Sequence, residues 1–407
     1  KLNLTTAKKL ALTNNPTLAI SLARIEAAKA QVIKTHSSYL PQLSANYSAT
    51  HQHNQPAVLS FSGGNSFETY SPSLNASWLV LDGFTRKYNL LSTRYNKMAL
   101  ELNHQDVQRL LVQSVSASFY NALLAYEQMK ISEVDKKYNE AFLKESQIRY
   151  KASVITESDL LNFKARVKQS DISYLNFKRD YQNALVQLFT LLGYPSQKIT
   201  SNFELIWQES NSMTVFQENG VIETAQEKRP DLQSIQANIE AANSLIKSKE
   251  GSRWPTLSLQ GSYGFIERDR IRVDARSRNS SYGVQVNWDL FTGGRINADI
   301  QEAKAKAREV KKSLLSEWQG IVSEIRQELR RLDTARQKKS LQKEIVSFNK
   351  TIHSHTQKRY QYSQESLTRV NEVLSNLTRS ERSLIINKIE ILLSQENIKA
   401  FQGTNLK

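Results

Sequence analysis

Four segments of the chain alternate apolar and polar residues with a period of two. In the first, Leu43, Ala45 and Tyr47 alternate with serine and asparagine. This period is typical of a strand with one apolar and one polar face. The pattern predicts four strands, at 42–54, 70–82, 255–266 and 281–291.

Elsewhere the apolar residues recur every three or four positions, which indicates helices. Between Gly83 and Ser153 there is neither a proline nor a further glycine. A helix of this length would be roughly 105 Å long, a length typical of coiled coils. The pattern predicts a first helix of about 35 residues in each half of the chain. In the first half, Asn15 is expected to cap this helix, with Pro16 in its first turn. It also predicts long helices at 84–152 and 294–362 and return helices at 156–193 and 366–402.

Sequence markers recur at a nearly constant offset. Asn15 lies before a proline and so does Arg229, an offset of 214 residues (229 minus 15). Trp78 recurs as Trp288 at an offset of 210 (288 minus 78). Each half has the order helix, two strands, long helix and return helix, and we expect the first helix to stack end to end with the return helix. The chain is therefore predicted to consist of two structural repeats, 1–217 and 218–407. The first repeat is predicted to end in an equatorial link at 194–217, and the second in a short tail.

The polar strand faces carry serine, asparagine, glutamine and threonine, which suits a membrane barrel with lipid on one side and water on the other. A soluble sandwich would instead bury the apolar faces. Trp78, Trp254 and Trp288 stand at strand ends, where an interfacial aromatic belt is expected, although they could also be core residues. Four strands cannot close a membrane barrel, and open edges in lipid are costly. We therefore expect oligomerisation, and three copies would supply twelve strands around a lumen.

Composition narrows the function. The chain has 55 Lys and Arg against 39 Asp and Glu, a net charge of +16, and no cysteine. This charge favours an anionic partner, namely nucleic acid, acidic lipid or an anionic solute. Gly293-Gly294-Arg295 lacks the lysine of a phosphate-binding loop, and we predict no enzyme activity, no cofactor and no metal site. A soluble basic coiled-coil scaffold for nucleic acid is the alternative, but it leaves the strands unexplained. A periplasmic adaptor would need a lipoyl-like segment that the sequence does not show.

The doubled order of elements resembles the TolC-like outer-membrane efflux family. Because cysteine is absent, the resemblance is to its non-lipidated branch. The local matches are Asn15-Pro16-Thr17-Leu18, Leu40-Pro41-Gln42-Leu43, Arg229-Pro230-Asp231-Leu232, Pro255-Thr256-Leu257, Phe291-Thr292-Gly293-Gly294-Arg295 and Asp159-Leu160-Leu161.

The resemblance implies an α+β membrane protein in which each repeat gives two transmembrane β-strands and a long coiled-coil hairpin. A homotrimer would form a 12-stranded β-barrel continued by an α-helical barrel. The implied function is a passive exit duct of a tripartite efflux pump or type I secretion system in the outer membrane of a Gram-negative bacterium. The implied partners are a periplasmic adaptor (membrane fusion) protein and an inner-membrane pump of RND or ABC type, with no nucleic acid.

The resemblance also implies a gate at the periplasmic tip of the hairpins, where its register gives Ser158, Asp159, Tyr360, Glu365, Arg369 and Glu372. Ser153 and Ser363 take the positions of the tip glycines, where the adaptor would dock. The charges depart from the family, because Glu365 replaces an arginine and Arg369 an aspartate. We expect Arg369 to pair with Asp159 or Glu365 in a closed state; otherwise these are solvated charges at helix ends.

An arginine-rich segment lies between the last two predicted strands. Guanidinium groups bind phosphates well, so this segment is predicted to be an extracellular loop that meets lipopolysaccharide; otherwise it is a solvated loop. Its arginines are Arg268, Arg270, Arg272, Arg276 and Arg278.

Overall fold

A computed structural model describes residues 2–54, 65–194, 205–206, 214–269, 277–362 and 364–405. The helices are α1 (Leu4–Asn14), α2 (Pro16–Ser37), α3 (Thr85–Lys151), α4 (Glu157–Leu191), α5 (Glu218–Lys228), α6 (Pro230–Gly251), α7 (Arg295–Gln361) and α8 (Leu367–Phe401). The strands are β1 (Gln42–Asn54), β2 (Asn65–Leu81), β3 (Thr256–Phe265), β4 (Glu267–Arg268) and β5 (Arg278–Asn287). Within the described residues, none of the helices is both long enough and apolar enough to cross a membrane.

The helices of the two halves match in length. The long helices α3 and α7 each have 67 residues, and the return helices α4 and α8 each have 35. The expected first helix of about 35 residues is wrong, because it is divided into helices of 11 and 22 residues in each half. The break falls at Asn15 and Arg229, whose backbones are extended at ψ 124° and 120°. Both precede a proline, whose ring disfavours the helical conformation of the residue before it.

The chain packs as two compact units that do not coincide with the two repeats. Unit 1 comprises Lys1–Leu22, Asn103–Leu232 and Glu317–Lys407, and unit 2 comprises Ala23–Leu102 and Gln233–Ser316. Each unit contains parts of both repeats, so the sequence repeat is not the packing unit.

In unit 1 the return helix of the first repeat meets the start of α2 end to end, as the lengths predict. The Asn15 side-chain amide donates to the carbonyl of Leu191 at 2.8 Å. Gly193 follows with φ +78°, and a Cβ there would lie 2.4 Å from the carbonyl oxygen of Asn14. Only glycine tolerates both this backbone conformation and this approach. Around this joint lies an apolar core that includes Val115, Phe119, Leu185, Leu188 and Leu192.

Unit 2 contains an antiparallel sheet in the order β1-β2-β3-β5, with β4 paired to β2. The central pairing of β2 with β3 joins the two repeats. Three predicted strand bounds are wrong by three or more residues: β2 begins at Asn65 rather than 70, and β5 runs from Arg278 to Asn287 rather than from 281 to 291. The early end of β5 has a physical cause, since its neighbour β3 begins at Thr256, opposite Asn287, and offers no partner beyond it.

Candidate functional site

The sheet register places the predicted apolar faces of all four long strands on one side. Leu43 pairs with Ala76, Ala76 with Gly261, and Gly261 with Tyr282, so one row crosses the whole sheet. Paired residues in antiparallel strands point to the same face. This face is open to the surroundings, with Tyr282 96% exposed and Leu43 75% exposed.

The other side of the sheet is polar and uncharged along its central rows. Ser44 pairs with Asn75, Asn75 with Ser262, and Ser262 with Ser281. The hydroxyls of Ser262 and Ser281 are 2.8 Å apart. Nearby, the side-chain Nε2 of Gln260 on β3 donates to the side-chain Oε1 of Gln285 on β5 at 2.6 Å. Small polar side chains that bond to each other form a surface suited to water.

Both outer edges of the sheet are open. Within the described residues, β1 pairs with β2 alone and β5 with β3 alone. Every residue of β5 is exposed. Unpaired backbone groups on two long edges of one sheet are templates for pairing with another chain.

The three predicted belt tryptophans lie in unit 2 and are 42%, 65% and 57% exposed for Trp78, Trp254 and Trp288. The indole of Trp78 donates to the carbonyl of Tyr39 at 2.9 Å, and that of Trp288 donates to the carbonyl of Arg253 at 3.1 Å. The indole nitrogens of Trp78 and Trp288 are thus satisfied while their rings stay open. Trp288 lies outside β5, which corrects its predicted place within a strand.

Two of the five predicted loop arginines are described. Arg268 belongs to β4, so it is not in a free loop, and its guanidinium lies 4.6 Å from the Phe67 ring centroid. Arg278 begins β5, 5.9 Å from the ring centroid of Tyr263. Neither forms an ion pair with a carboxylate among the described residues. Arg270, Arg272 and Arg276 lie outside the described residues.

At the first hairpin tip, Asp159 is part of a helix cap. Thr156 precedes α4 and its hydroxyl accepts from the Asp159 N–H at 3.2 Å, while Asp159 accepts from the Thr156 N–H at 3.1 Å. This reciprocal capping box explains Asp159 without a gate. Ser153, in the turn between α3 and α4, has φ +56°. This left-handed conformation favours glycine, the residue that the resemblance places there. Ser158 lies in the first turn of α4, next to Asp159.

At the second tip, the predicted gate charges pair locally. Arg369 Nη1 lies 2.8 Å from Glu372, and Glu365 lies 3.6 Å from Arg359. Within this one chain, Arg369 therefore does not pair with Asp159 or Glu365; a pairing between subunits stays a prediction. Ser363 lies outside the described residues.

Tyr360 is buried at 4% exposure in an apolar cluster with Phe142, Phe163, Val370 and Leu374. The Arg149 guanidinium lies 4.3 Å from its ring centroid, and Nη2 of Arg149 donates to its carbonyl at 3.3 Å. Burial raises the pKa of Tyr360, and the positive charge of Arg149 opposes that rise. Tyr360 thus connects the two hairpins within one subunit.

Sequence reasoning missed two features of the tips. The capping box was readable from Thr156-Glu157-Ser158-Asp159, which fits the pattern of a hydroxyl residue followed three positions later by an acid. The contact of Arg149 with Tyr360 had no local signal, because it joins residues that are far apart in the chain.

Comparison with known proteins agrees with this geometry. Residues 8–194 and 221–404 match the family described as outer membrane efflux protein. The chain belongs to this family, and it is an efflux channel of the Gram-negative outer membrane that reaches into the periplasm.

Individual proteins are similar over nearly the whole chain. The toluene efflux pump outer membrane protein TtgC of Pseudomonas putida is 22% identical over 96% of this chain and 81% of its own length. The outer membrane protein TolC of Escherichia coli is 20% identical over 99% of this chain and 82% of its own. The Campylobacter jejuni CmeC outer membrane channel has a TM-score of 0.87 at 20% identity, covering 99% of this chain and 86% of that one. These matches confirm the predicted family and, for the single chain, the fold of its solved members, and they give no support to a soluble nucleic-acid scaffold.

Proposed function

We propose that three copies of this chain pool their sheets into a 12-stranded barrel in the outer membrane and that their helices form a barrel in the periplasm. The observation that carries this proposal is the sheet of four long strands, with two open edges among the described residues and one exposed apolar face. In lipid, both edges need partners, since an unpaired backbone group there costs several kcal/mol. A closed ring of identical subunits supplies these partners.

The repeat predicts the register between neighbouring subunits. Within one chain, Ala76 of β2 pairs with Gly261 of β3. By the repeat offsets, Val286 is the equivalent of Ala76 in the second repeat (76 plus 210), and Tyr47 is the equivalent of Gly261 in the first repeat (261 minus 214). We therefore expect β5 to continue onto β1 of a neighbour with Val286 opposite Tyr47. Both residues lie on the apolar face, which agrees with a lipid-facing row.

The neighbouring row gives an independent check of this register. Asn75 pairs with Ser262, and the same offsets place Gln285 opposite Ser48 of the neighbour. Both are polar and would face the lumen. Thus the inferred register keeps the apolar and polar faces continuous across the subunit boundary.

Cysteine cross-linking tests the ring, because the chain contains no cysteine of its own. Paired residues in an antiparallel ladder have Cα atoms about 4.5–5.5 Å apart, within reach of a disulfide. Oxidation of the Val286→Cys, Tyr47→Cys protein, or of the Gln285→Cys, Ser48→Cys protein, should give covalent trimers on denaturing gels. The two rows cover both ladder geometries.

The matched control combines Val286→Cys with Ser44→Cys, which is three residues out of register and on the opposite face. This control and each single variant should stay monomeric on the same gels. Absence of covalent trimers in both in-register proteins, or equal cross-linking in the control, would contradict the proposed ring.

Exposed aromatic rings at the ends of the strands support a belt at the membrane surface. Trp78 and Trp288 keep their indole N–H groups bonded to backbone and leave their rings open. Such amphipathic rings favour the membrane interface. On the other side of the membrane, Arg268 and Arg278 have no carboxylate partner among the described residues and are available to lipopolysaccharide phosphates.

The hairpin tips are proposed to dock a periplasmic adaptor, which would connect the duct to an inner-membrane pump. The support is a set of exposed apolar side chains at the tips: Ile148, Val154 and Tyr362 are 70%, 59% and 77% exposed. Exposed apolar groups near one another commonly mark a protein contact. Ile148 and Val154 lie on either side of Ser153 at the first tip, and Tyr362 follows α7 at the second tip.

The gate is proposed to form where the tips of three subunits meet. Ser158, Asp159, Glu365, Arg369 and Glu372 would contribute polar contacts there. Exposed ion pairs stabilise by only about 0–1 kcal/mol each, so adaptor docking could open such a gate. Unchanged single-channel conductance in both Arg369→Ala and Asp159→Ala would remove this assignment, whereas an increase supports it.

A further inference from the structure

A polar groove on unit 1 is not used by the proposed duct or its gate. It lies between α3, α4 and α8, and Asp135, Arg166, Arg379 and Arg382 are among its lining residues. Ile386 is the one apolar side chain among the described residues that line it. Three guanidinium groups face a single carboxylate, so the groove carries a local excess of positive charge.

One of the three arginines is committed to the protein. Arg166 donates from Nε to Asn139 at 3.1 Å, and from Nη2 to the Asn371 carbonyl at 2.9 Å and to Ser375 at 3.0 Å. These bonds fix the wall of the groove and connect α3, α4 and α8. Arg166 therefore contributes charge and rigidity, while its Nε and Nη2 donors are already bonded to the protein.

The other two arginines have no hydrogen-bond acceptor among the described residues. Arg382 stacks on the Phe177 ring at 4.5 Å, and its Nε is buried with no hydrogen-bond partner in the described part of the chain. Arg379 is exposed and makes neither a hydrogen bond nor an ion pair with the described residues. A buried donor without an acceptor is costly, and in native proteins it commonly signals an unseen partner.

Asp135 does not neutralise this cluster. Its carboxylate accepts from Thr378 at 3.4 Å and forms no ion pair with the arginines within 4 Å. Burial lowers the pKa of both Arg166 and Arg382, and the charge of Asp135 opposes that fall. A bound anion would therefore relieve the cost of burying these positive groups.

We propose that this groove binds a tetrahedral oxyanion, phosphate or sulfate, through Arg379 and Arg382. Guanidinium groups favour such ions because their planar N–H donors match two oxygens at once. The oxyanion could be a free ion or a group carried on a solute. The inference does not depend on the trimeric duct, since all of the binding residues come from one chain.

Isothermal titration calorimetry of the detergent-purified full chain tests the site, with inorganic phosphate, sulfate and glucose 6-phosphate as ligands at constant ionic strength. We expect saturable binding of phosphate and sulfate. Arg382→Gln and Arg379→Gln should each weaken it about tenfold or more, the effect of losing a charge-assisted hydrogen bond. Arg379→Gln is the variant that keeps the fold, because this side chain is exposed.

Two further variants separate a specific site from the general positive charge. Arg179 lies on α4 outside the groove, 2.8 Å from Asp180, and Arg179→Gln should leave the affinity unchanged. Asp135→Asn removes the carboxylate that repels an anion, so it should tighten binding. A weaker affinity in Asp135→Asn would count against the site.

Other outcomes are equally informative. No saturable binding of either ion, an unchanged affinity in both groove arginine variants, or an equal loss in Arg179→Gln would overturn the proposal. Binding of glucose 6-phosphate as tightly as phosphate supports a site for phosphate-bearing solutes, and binding of the free ions alone supports a site for the ions themselves.

Discussion

Asn15 and Arg229 occupy the same position in the two repeats. Asn15 connects the end of α4 to the start of α2, and Arg229 connects the end of α8 to the start of α6. Asn15 uses a neutral amide, which donates to Leu191 and accepts from the Thr17 N–H at 2.8 Å. Arg229 uses a charge: its Nε lies 3.0 Å from Asp231, and its Nη1 lies 3.5 Å from the Phe401 carbonyl.

The arginine in place of an asparagine changes the chemistry around the joint of the second repeat. The Asp231 carboxylate lies 3.8 Å from Arg109, which is itself 2.7 Å from Asp106. Burial acts to raise the pKa of Asp231, but its bonds and charge contacts with Arg229 and Arg109 outweigh burial and lower it. The repeat therefore reproduces the backbone geometry of a joint, while the side chains that close it differ: a single amide in one half, a buried ion network in the other.

The largest expected effect comes from breaking the charged joint. Arg229→Met should lower the free energy of unfolding by about 3–5 kcal/mol, because it leaves the buried Asp231 with one of its two cations. Asn15→Ala removes only a neutral cap and should cost about 1–2 kcal/mol. Denaturant unfolding in detergent, followed by helical circular dichroism, measures both. Equal losses would mean that the ion network adds nothing to the joint.

The second largest expected effect on stability comes from the glycines at the two strand-to-helix joints. Gly83 and Gly293 both have positive φ, +60° and +62°. A Cβ at Gly83 would lie 2.3 Å from the Gly251 carbonyl oxygen, whereas one at Gly293 would meet no atom of the described residues of the same chain within 4 Å. We expect Gly83→Ala to cost about 2–4 kcal/mol, from backbone strain and overlap together.

Gly293→Ala is the control, with an expected cost of about 1–2 kcal/mol from the backbone conformation alone. Thermal unfolding midpoints of the two variants provide the comparison. If Gly293→Ala destabilises as much as Gly83→Ala, the close approach to Gly251 is not what selects glycine.

The two hairpin tips give a smaller contrast. Asp159 and Arg369 stand at the same position of α4 and α8, three residues after the capping Thr156 and Ser366. An acid there stabilises a helix start, and a base does not. Asp159→Ala should therefore cost about 1 kcal/mol, while Arg369→Ala should leave stability unchanged within about 0.5 kcal/mol. Protection of the first α4 and α8 amides against hydrogen exchange measures this; a clear loss at α8 would assign Arg369 a capping role.

The smallest effect is a pH dependence present in one repeat. His353 is buried, and its Nε2 has no hydrogen-bond partner among the residues that the structure describes. Its ring centroid lies 5.8 Å from that of Tyr138, and the same position in the first repeat is Leu143. Burial lowers the pKa of His353, and the nearby Glu381, itself 3.3 Å from Lys350, opposes that change.

Because the unfolded chain takes up the proton first, near pH 6.5, stability from His353 is present above that pH and is lost as the pH falls towards the folded pKa. His353→Leu should flatten the dependence of the unfolding midpoint between pH 7 and 5. An unchanged slope in His353→Leu would rule out this histidine as its source.

Several features of the molecule followed from local pattern. Period-two alternation assigned the two faces of each strand, and pairing in register put Leu43, Ala76 and Tyr282 on one side, as predicted. The recurrence of Pro16 as Pro230 and of Gly83 as Gly293 identified the repeat. These predictions succeeded because backbone conformation and face depend on residues close together in the chain.

Tertiary structure alone decided the rest. It divided the chain into two units that each mix both repeats, and it buried Tyr360 beneath Arg149. It also brought Arg166, Arg379 and Arg382 together around one groove. Packing depends on which surfaces meet after the helices fold back on one another. Contacts between residues far apart in the chain are therefore not encoded in the spacing of residues along it.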